Sequence, residues 1–176
     1  MTPIKLHAFS ELPAVFHHRQ TWDGFNNPSL VIENTQHKKE LGFKNVNAKK
    51  LLDIFNGSFK IESLKPLSMV YAGHQFGQYV EQLGDGRGLL LGQIDSPDGS
   101  IDIHLKGAGK TPYSRFGDGR AVLRSVIREY LCGEAMHALS IPTSRALMII
   151  GSDEIVIREK SETAAMLART AKTHIR

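Results

Sequence analysis

Residues 82–92 read QLGDGRGLLLG, residues 101–120 read IDIHLKGAGKTPYSRFGDGR, and residues 121–136 read AVLRSVIREYLCGEAM. In the first segment, Gly84, Gly86 and Gly88 flank Asp85 and Arg87 between two apolar runs. Because glycine has no Cβ, it lets the backbone turn sharply and approach another group closely. The segment therefore predicts a glycine-rich β-hairpin whose backbone comes close to a ligand.

The second segment alternates like a β-strand and ends in a lysine. Successive side chains of a strand point to opposite faces, so Asp102, His104 and Lys106 share one face. The third segment predicts a long helix that carries Glu129. A glycine-rich hairpin, a strand lysine and a helix glutamate are typical of a protein-kinase-like small lobe, where they hold ATP. We therefore expect an α+β fold with an antiparallel sheet and one main helix.

Two further patterns predict how the strands connect. Residues 78–106 predict a three-stranded antiparallel meander. It turns first at residues 84–88, called the glycine segment below, and then at SPDGS. Residues 141–159 predict another hairpin, because two apolar runs flank the polar segment GSDE.

The main helix has an expected start and two polar features. Asp118 is the expected N-cap. Arg120, Arg124 and Arg128 recur every four residues and predict a basic stripe. Glu129 either reaches the lysine on the neighbouring sheet or makes an ordinary surface contact, and the sequence alone leaves both alternatives open.

The composition is that of one globular domain. The chain has 176 residues, of which 41% are hydrophobic and 23% charged. It has no apolar run of about 18 residues, as a membrane-spanning helix would need, and no basic head followed by an apolar block at its start. Cys132 is the single cysteine, so a disulfide framework within the chain is excluded. A bacterial-type cytoplasmic location is the resulting expectation.

The net charge of +4 leaves three interpretations of the basic residues open. Only one acidic residue, Asp118, lies within residues 103–128, among the basic residues Lys106, Lys110, Arg115, Arg120, Arg124 and Arg128. A solvated basic face is one interpretation, and a small phosphate-bearing ligand is the favoured one. Binding of nucleic acid ranks last, because no aromatic ladder or known binding motif accompanies the charges.

Residues 1–65 predict a packing extension. TQHKKELG and AKKLLDIFNG each have the pattern of a helix that ends at a glycine. His17, His18 and His37 lack the spacing of metal ligands and are expected at the surface. For His74 a structural or loop-positioning role is favoured over catalysis, because no acidic partner is evident nearby.

Five motifs occur in a consistent order: GHQFG, QLGDGRG, HLKGAGKTPYSR, GDGRAVLRS with IRE, and GEAMHAL with IPT and RAL. Together they resemble the selenoprotein O family over residues 66–176, and more weakly before them. The resemblance implies a protein-kinase-like fold that transfers AMP from ATP to Ser, Thr or Tyr hydroxyls of proteins, with Mg²⁺ or Mn²⁺. It also implies that ATP binds in a flipped orientation. A non-catalytic, ATP-binding pseudokinase module is the alternative.

The resemblance also implies which residues meet the nucleotide. Glu129 matches the ion-pair partner of Lys106. The matching nucleotide contacts are Gly84, Gly86, Arg87, Lys106, Asp118, Gly119, Arg169 and Arg176. The residues alone would place both Arg169 and Arg176 at the surface, and the resemblance overrides that interpretation.

The family's catalytic aspartate and metal-holding residues have no match in this sequence, which contains no HGxxNxD-like or DYG-like stretch. We therefore expect the catalytic and metal-binding residues beyond Arg176, in a large lobe that is absent here. Residues 66–176 would be the small lobe and residues 1–65 an N-terminal extension. The chain alone is expected to transfer little or nothing. The expected partners are ATP and protein substrates, with no nucleic acid and no membrane.

Overall fold

The computed structural model describes residues 3–22, 24–97 and 99–175. A short 3-10 helix, Ala8–Glu11, precedes the first strand. The α-helices are α1 (Thr35–Glu40), α2 (Ala48–Phe55) and α3 (Leu123–Ala138). The strands are β1 (His17–Arg19), β2 (Ser29–Glu33), β3 (Leu67–Gln75), β4 (Gln78–Gly84), β5 (Gly88–Ser96), β6 (Gly99–Lys106), β7 (Ala121–Val122), β8 (Arg145–Ile157) and β9 (Ser161–Ala171).

The strands form one antiparallel sheet in the order β1-β3-β5-β6-β9-β8-β2. Outside this row, β4 pairs with β3 and β7 pairs with β9. The long helix α3 packs on β8 and β9. This arrangement confirms the predicted α+β fold with an antiparallel sheet and one main helix, as in a protein-kinase-like small lobe. None of the helices within the described ranges is long and apolar enough to cross a membrane.

The N-terminal segment supplies both edges of this row of strands. β1 pairs with β3, and β2 pairs with β8. The predicted helices α1 and α2 are present, and Gly42 and Gly57 after them have φ of 78° and 82°. Such positive φ angles favour glycine after a helix. The division between residues 65 and 66 stays a prediction.

The two faces of the sheet are covered differently. On one face, Phe43, Leu51 and Phe55 from the N-terminal segment pack in one buried cluster with strand residues such as Leu105 and Met166. A smaller cluster under α3 contains Val126 together with residues of β8 and β9. Within α3 only Val126 and Gly133 are buried, so the helix touches the sheet along a narrow line.

The predicted glycine hairpin is wrong. β4 and β5 do not pair with each other. Both pair antiparallel with β3, so they run in the same direction, and residues 85–87 lie between them as an interruption. Asp85 keeps this interruption bound to β3, because its N–H donates to the Met69 carbonyl (3.0 Å) and its carboxylate accepts from the Met69 N–H (3.2 Å). The hairpin turn lies earlier, at Phe76 and Gly77, with φ of 53° and 79°. The meander predicted for residues 78–106 therefore reduces to the β5–β6 pair.

The predicted hairpin around GSDE is also wrong. β8 continues through this segment as one strand, paired with β9 on both sides. Its register shifts between Gly151 and Ile155, so the polar residues form a bulge. The reversal of the chain comes later, between β8 and β9.

The main helix begins later than predicted. Val122 is its N-cap and makes no side-chain capping hydrogen bond, so Asp118 is not the N-cap. Ala121 and Val122 instead pair with β9 as the short strand β7. Arg120 precedes the helix, and its guanidinium pairs with Glu154, whereas Arg124 pairs with Glu162. The predicted basic stripe is therefore shorter, and two of its charges have carboxylate partners.

Two of the histidines predicted at the surface are buried. His17 and His37 are 5% and 6% exposed, while His18 is exposed as expected. Nε2 of His37 lies 2.6 Å from the Thr170 hydroxyl, and Nδ1 lies 3.2 Å from the Glu40 carboxylate. These partners compensate for the loss of water around the ring.

Candidate functional site

A cleft of about 800 Å³ opens where the glycine segment, the end of β6 and residues 107–120 meet. Every predicted nucleotide contact that the structure describes lines it: Gly84, Gly86, Arg87, Lys106, Asp118, Gly119 and Arg169. Arg176 lies outside the described residues. The structure therefore brings together residues that are far apart in sequence, while their contact with a nucleotide stays a prediction.

Two cations at the floor of the cleft share one carboxylate. Lys106 Nζ donates to Glu129 Oε2, and Arg169 Nη1 donates to Glu129 Oε1 over 2.8 Å. β6 and β9 are neighbours in the sheet, and α3 packs on β9, so Glu129 reaches both strands. The side chains of Lys106, Glu129 and Arg169 are 18%, 25% and 15% exposed. The pairing fixes the two cations at a largely desolvated position.

The charge of this trio is net positive. Burial would raise the pKa of Glu129, but the hydrogen bond from Lys106 and the charges of Arg169 and Lys106 together hold it below its ordinary value. Glu129 is therefore an anion at neutral pH and balances one of its two cationic neighbours. The excess positive charge at the cleft floor favours an anionic ligand.

Residues 107–117 pack against the glycine segment and occupy its carbonyl groups. The Thr111 hydroxyl donates to the Asp85 carbonyl (2.8 Å), and the Ser114 hydroxyl donates to the Gly86 carbonyl (2.5 Å). A Cβ on Gly86 would lie 2.8 Å from the carbonyl oxygen of Tyr113, and one on Gly84 would overlap the Tyr113 ring. Close packing against residues 113 and 114 therefore explains why positions 84 and 86 require glycine.

Asp118 fixes the opposite wall of the cleft. Its two carboxylate oxygens accept hydrogen bonds from Arg158 Nη1 (2.7 Å) and Nη2 (2.9 Å), and Oδ1 also accepts from the Arg120 N–H (2.8 Å). The hydrogen bond from Arg158 is the main reason that the pKa of Asp118 is lowered. Asp118 therefore holds the loop in place through contacts within the protein.

Several residues of the cleft were not among the predicted contacts. Arg158, Arg115, Tyr113 and His104 line it as well. Arg158 comes directly after β8. To place it near Asp118, the sequence pattern would have had to predict one long strand through GSDE. Because the sequence pattern predicted a turn there, Arg158 was missed.

His104 lies at the base of the cleft and is 1% exposed. Burial is the main cause that lowers its pKa, from 6.5 to about 4; contact with Asp85 opposes this, and the charge of Arg169 adds to it. The ring stacks on His174, with centroids 4.9 Å apart and an interplanar angle of 22°. The predicted polar face of β6 is therefore present but buried, since Asp102 is also only 3% exposed.

This depressed pKa predicts a loss of stability in acid. The unfolded chain binds the proton more readily than the folded one, so the contribution of His104 is fully present above pH 6.5 and is lost as the pH falls towards about 4. A difference of two to three pKa units corresponds to about 3 kcal/mol. Urea denaturation at pH 7 and pH 4.5 should show the decline, and His104→Asn should reduce it. An equal decline in the variant would contradict the assignment.

The comparisons with known proteins agree with one another. The sequence model of the family described as protein adenylyltransferase SelO matches residues 5–176. A protein nucleotidyltransferase YdiU of Vibrio parahaemolyticus serotype O3:K6 is 53% identical over 171 residues, which are 97% of this chain and 35% of the relative. Its namesake in Thioalkalivibrio sulfidiphilus is 48% identical over 174 residues, with the same coverage.

The Aeromonas hydrophila protein of the same name is 55% identical over 150 residues, which are 85% of this chain and 32% of the relative. The chain thus spans 35% or less of the length of each of these three relatives. Since the family model covers nearly all of its residues, the chain belongs to the SelO family.

Proposed function

We propose that this chain is the nucleotide-binding part of a protein adenylyltransferase and that its cleft binds ATP. The observation that carries the proposal is the joint hold of Glu129 on Lys106 and Arg169 beside the glycine segment. The family description and the names of the relatives support the reaction class. The proposed protein acceptors are Ser, Thr and Tyr hydroxyls.

The side chains of the cleft fit a triphosphate. Lys106 and Arg169 supply positive charge at its floor, and Arg87 adds a guanidinium at its exposed rim. Within the described part of the chain, Arg87 makes no side-chain hydrogen bond or ion pair, so it is available to a ligand. Guanidinium groups bind phosphate oxygens through two parallel hydrogen bonds. The proposed role of Glu129 is to position the two cations at the floor.

The described side chains of the cleft fit a metal ion less well than they fit a triphosphate. No group of three His, Cys, Asp or Glu side chains suited to a metal occurs within residues 3–22, 24–97 and 99–175. The carboxylates that line the cleft are already bound, Asp118 to Arg158 and Asp85 to the Met69 N–H. We therefore propose that ligands for Mg²⁺ or Mn²⁺, and the catalytic aspartate, belong to the part of the relatives that this chain does not match.

In the proposed reaction a protein hydroxyl attacks the α-phosphorus of ATP. A bond forms between the hydroxyl oxygen and the α-phosphorus, and the hydroxyl proton passes to a general base, for which we propose the catalytic aspartate of the unmatched part. The bond from the α-phosphorus to the bridging oxygen breaks, so pyrophosphate leaves and AMP stays on the protein. Lys106 and Arg169 would offset the negative charge of the phosphates, which grows on the leaving group. Their fixed positions reduce the rearrangement that the reaction needs.

The test uses ATP labelled at the α- or the γ-phosphate, with Mg²⁺ or Mn²⁺ and a mixed protein extract. The Vibrio parahaemolyticus relative is assayed beside this chain. We expect the relative to transfer the α-label only, and this chain to transfer neither label although it binds ATP. Transfer of the γ-label would indicate a kinase instead. Transfer of the α-label by this chain alone would contradict the proposed location of the catalytic groups.

A non-catalytic ATP-binding module is the second candidate. It is favoured because the two acidic side chains that line the cleft, Asp85 and Asp118, are already bound by other groups of the protein. Saturable ATP binding by this chain and the relative, with no transfer of either label by the relative, would support it.

A further inference from the structure

We infer that His104 is a positioning residue: its neutral ring lies between Asp85 and Arg169 and orients the Arg169 guanidinium towards the cleft. This inference rests on the proposed binding of ATP phosphates by Arg169. It links the glycine segment to a cation on a different strand, β9.

The sheet places His104 and Arg169 directly opposite each other. The two residues are register partners in the β6–β9 pair. His104 Nδ1 lies 3.4 Å from both Nε and Nη2 of Arg169, while Arg169 Nη1 donates to Glu129 over 2.8 Å. The guanidinium is therefore held on one side by a carboxylate and on the other by an imidazole. Two such contacts restrict both the position and the plane of the group.

The partners of the ring decide where its proton lies. A guanidinium offers only donors, so the ring nitrogen that faces it, Nδ1, must accept. The proton of the neutral ring then lies on Nε2, which is 3.7 Å from Asp85 Oδ2. At this separation the contact is a weak, mainly electrostatic attraction. The three groups therefore lie in the order Asp85 carboxylate, neutral His104 ring and Arg169 guanidinium.

The surroundings keep the ring neutral. The charged and titratable groups that face it are Asp85 from the glycine segment, Arg169 from β9 and the stacked ring of His174. Behind His174 lies Asp102, whose carboxylate accepts a hydrogen bond from the backbone N–H of His174 over 2.7 Å. A protonated ring would lose its acceptor nitrogen and would face the Arg169 cation. Burial and this repulsion both lower the pKa of His104, to about 4, so the ring accepts from Arg169 at neutral pH.

A glycine in the motif makes room for this ring. A Cβ on Gly88 would lie 2.5 Å from His104 Cε1 and 2.9 Å from Nε2. The last glycine of GDGRG is therefore required by the imidazole, and the preceding aspartate faces the same ring. These contacts of Asp85 and Gly88 with one ring join the glycine segment to His104 on β6.

Two amide variants separate the two contacts of the ring. In His104→Asn the amide oxygen can replace Nδ1 as the acceptor for Arg169, whereas in His104→Gln the longer side chain replaces Nε2 and leaves Arg169 without that acceptor. We expect His104→Gln to weaken ATP binding by about tenfold, since a hydrogen bond to a charged group is removed. His104→Asn should stay close to wild type. Both should bind adenosine as wild type does, because the loss concerns the phosphates.

A double-mutant cycle tests whether His104 acts through Arg169. Calorimetric ATP affinities are compared for wild type, His104→Gln, Arg169→Gln and the double variant, with His18→Gln on the exposed part of β1 as the control. If the inference holds, His104→Gln adds no further loss once Arg169 is replaced. Additive losses, or a His104→Gln protein with wild-type affinity, would overturn it.

A measurement on the wild-type chain remains decisive if a variant fails to fold. Nitrogen-15 shifts of the histidine side chains distinguish the two neutral tautomers, and we expect His104 to carry its proton on Nε2. A proton on Nδ1 would overturn the inference. Absence of ATP binding by the wild-type chain would instead overturn the proposed function, and the role of His104 with it. The two failures are therefore distinguishable.

Discussion

Lys106→Ala is expected to weaken ATP binding by this chain about 100-fold, which corresponds to about 2.7 kcal/mol. The change removes one of the two cations that Glu129 holds and leaves that carboxylate balanced by Arg169 alone. The floor of the cleft then loses its excess of positive charge, so the attraction for phosphate falls sharply. Isothermal titration calorimetry at fixed ionic strength measures the effect, and the fold should persist because Lys106 lies at the end of β6.

Lys110→Ala is the matched control for this prediction. Lys110 is exposed, lies four positions later and does not line the cleft. The two variants change the net charge of the chain equally, so a general electrostatic effect would weaken both. We expect Lys110→Ala to bind ATP nearly as wild type does. An equal loss in the two variants, or unchanged affinity in Lys106→Ala, would contradict the role of Lys106.

Gly119→Ala is expected to destabilise the folded chain strongly. Gly119 has a φ of 73°, which an alanine adopts with strain, and an added Cβ would overlap the backbone of Gly109. Rigid backbone atoms cannot move aside as a flexible side chain does. We expect the free energy of unfolding to fall by about 3 kcal/mol or more, as measured by urea denaturation. The wall of the cleft that contains Asp118 should be disturbed as well.

Gly77→Ala separates the two causes of that loss. Gly77 has a similar φ of 79°, but a Cβ added there would meet no heavy atom within 4 Å beyond its two chain neighbours. The variant therefore reports the cost of the backbone conformation alone, about 1 kcal/mol. If both alanine variants lost the same amount, the close approach of Gly109 would not be the reason that position 119 requires glycine.

The element types were predictable because they depend on local patterns. The alternation up to Lys106 and the periodicity around Val126 identified β6 and α3. The glycines after α1 and α2 identified the ends of those helices, because a positive φ is a local requirement. The pairing of the strands was harder to predict, since GDGR at residues 84–87 and GSDE at residues 151–154 have the composition of turns.

Long-range contacts explain why neither segment is a hairpin turn. Asp85 is bound to Met69 on β3, and Ser152 donates to the Ala164 carbonyl on β9 over 2.9 Å. Each contact keeps its segment beside a neighbouring strand, so the interruption does not reverse the chain. Local composition contains no information about these partners.

The candidate site shows the same limit. The resemblance to the family identified residues that the structure brings to one cleft, whereas the isolated sequence placed Arg169 at the surface. The structure shows why that interpretation was wrong, because Arg169 is a register partner of His104 and lies beside Glu129. Burial of His17, His37 and His104 was missed for a similar reason, since it depends on how strands and helices pack together, which local sequence does not contain.

Binding of ATP in the cleft is tested most directly by titrating the nitrogen-15-labelled chain with ATP and following the titration by nuclear magnetic resonance. ATP bound in this cleft should produce saturable shifts at the backbone amides of Gly84, Gly86, Arg87 and Gly119 and at the side-chain Nε–H of Arg169. Tripolyphosphate should shift Arg169, and adenosine should not. Saturable shifts confined to other parts of the chain, or no shifts at millimolar ATP, would contradict the claim that this cleft binds the nucleotide.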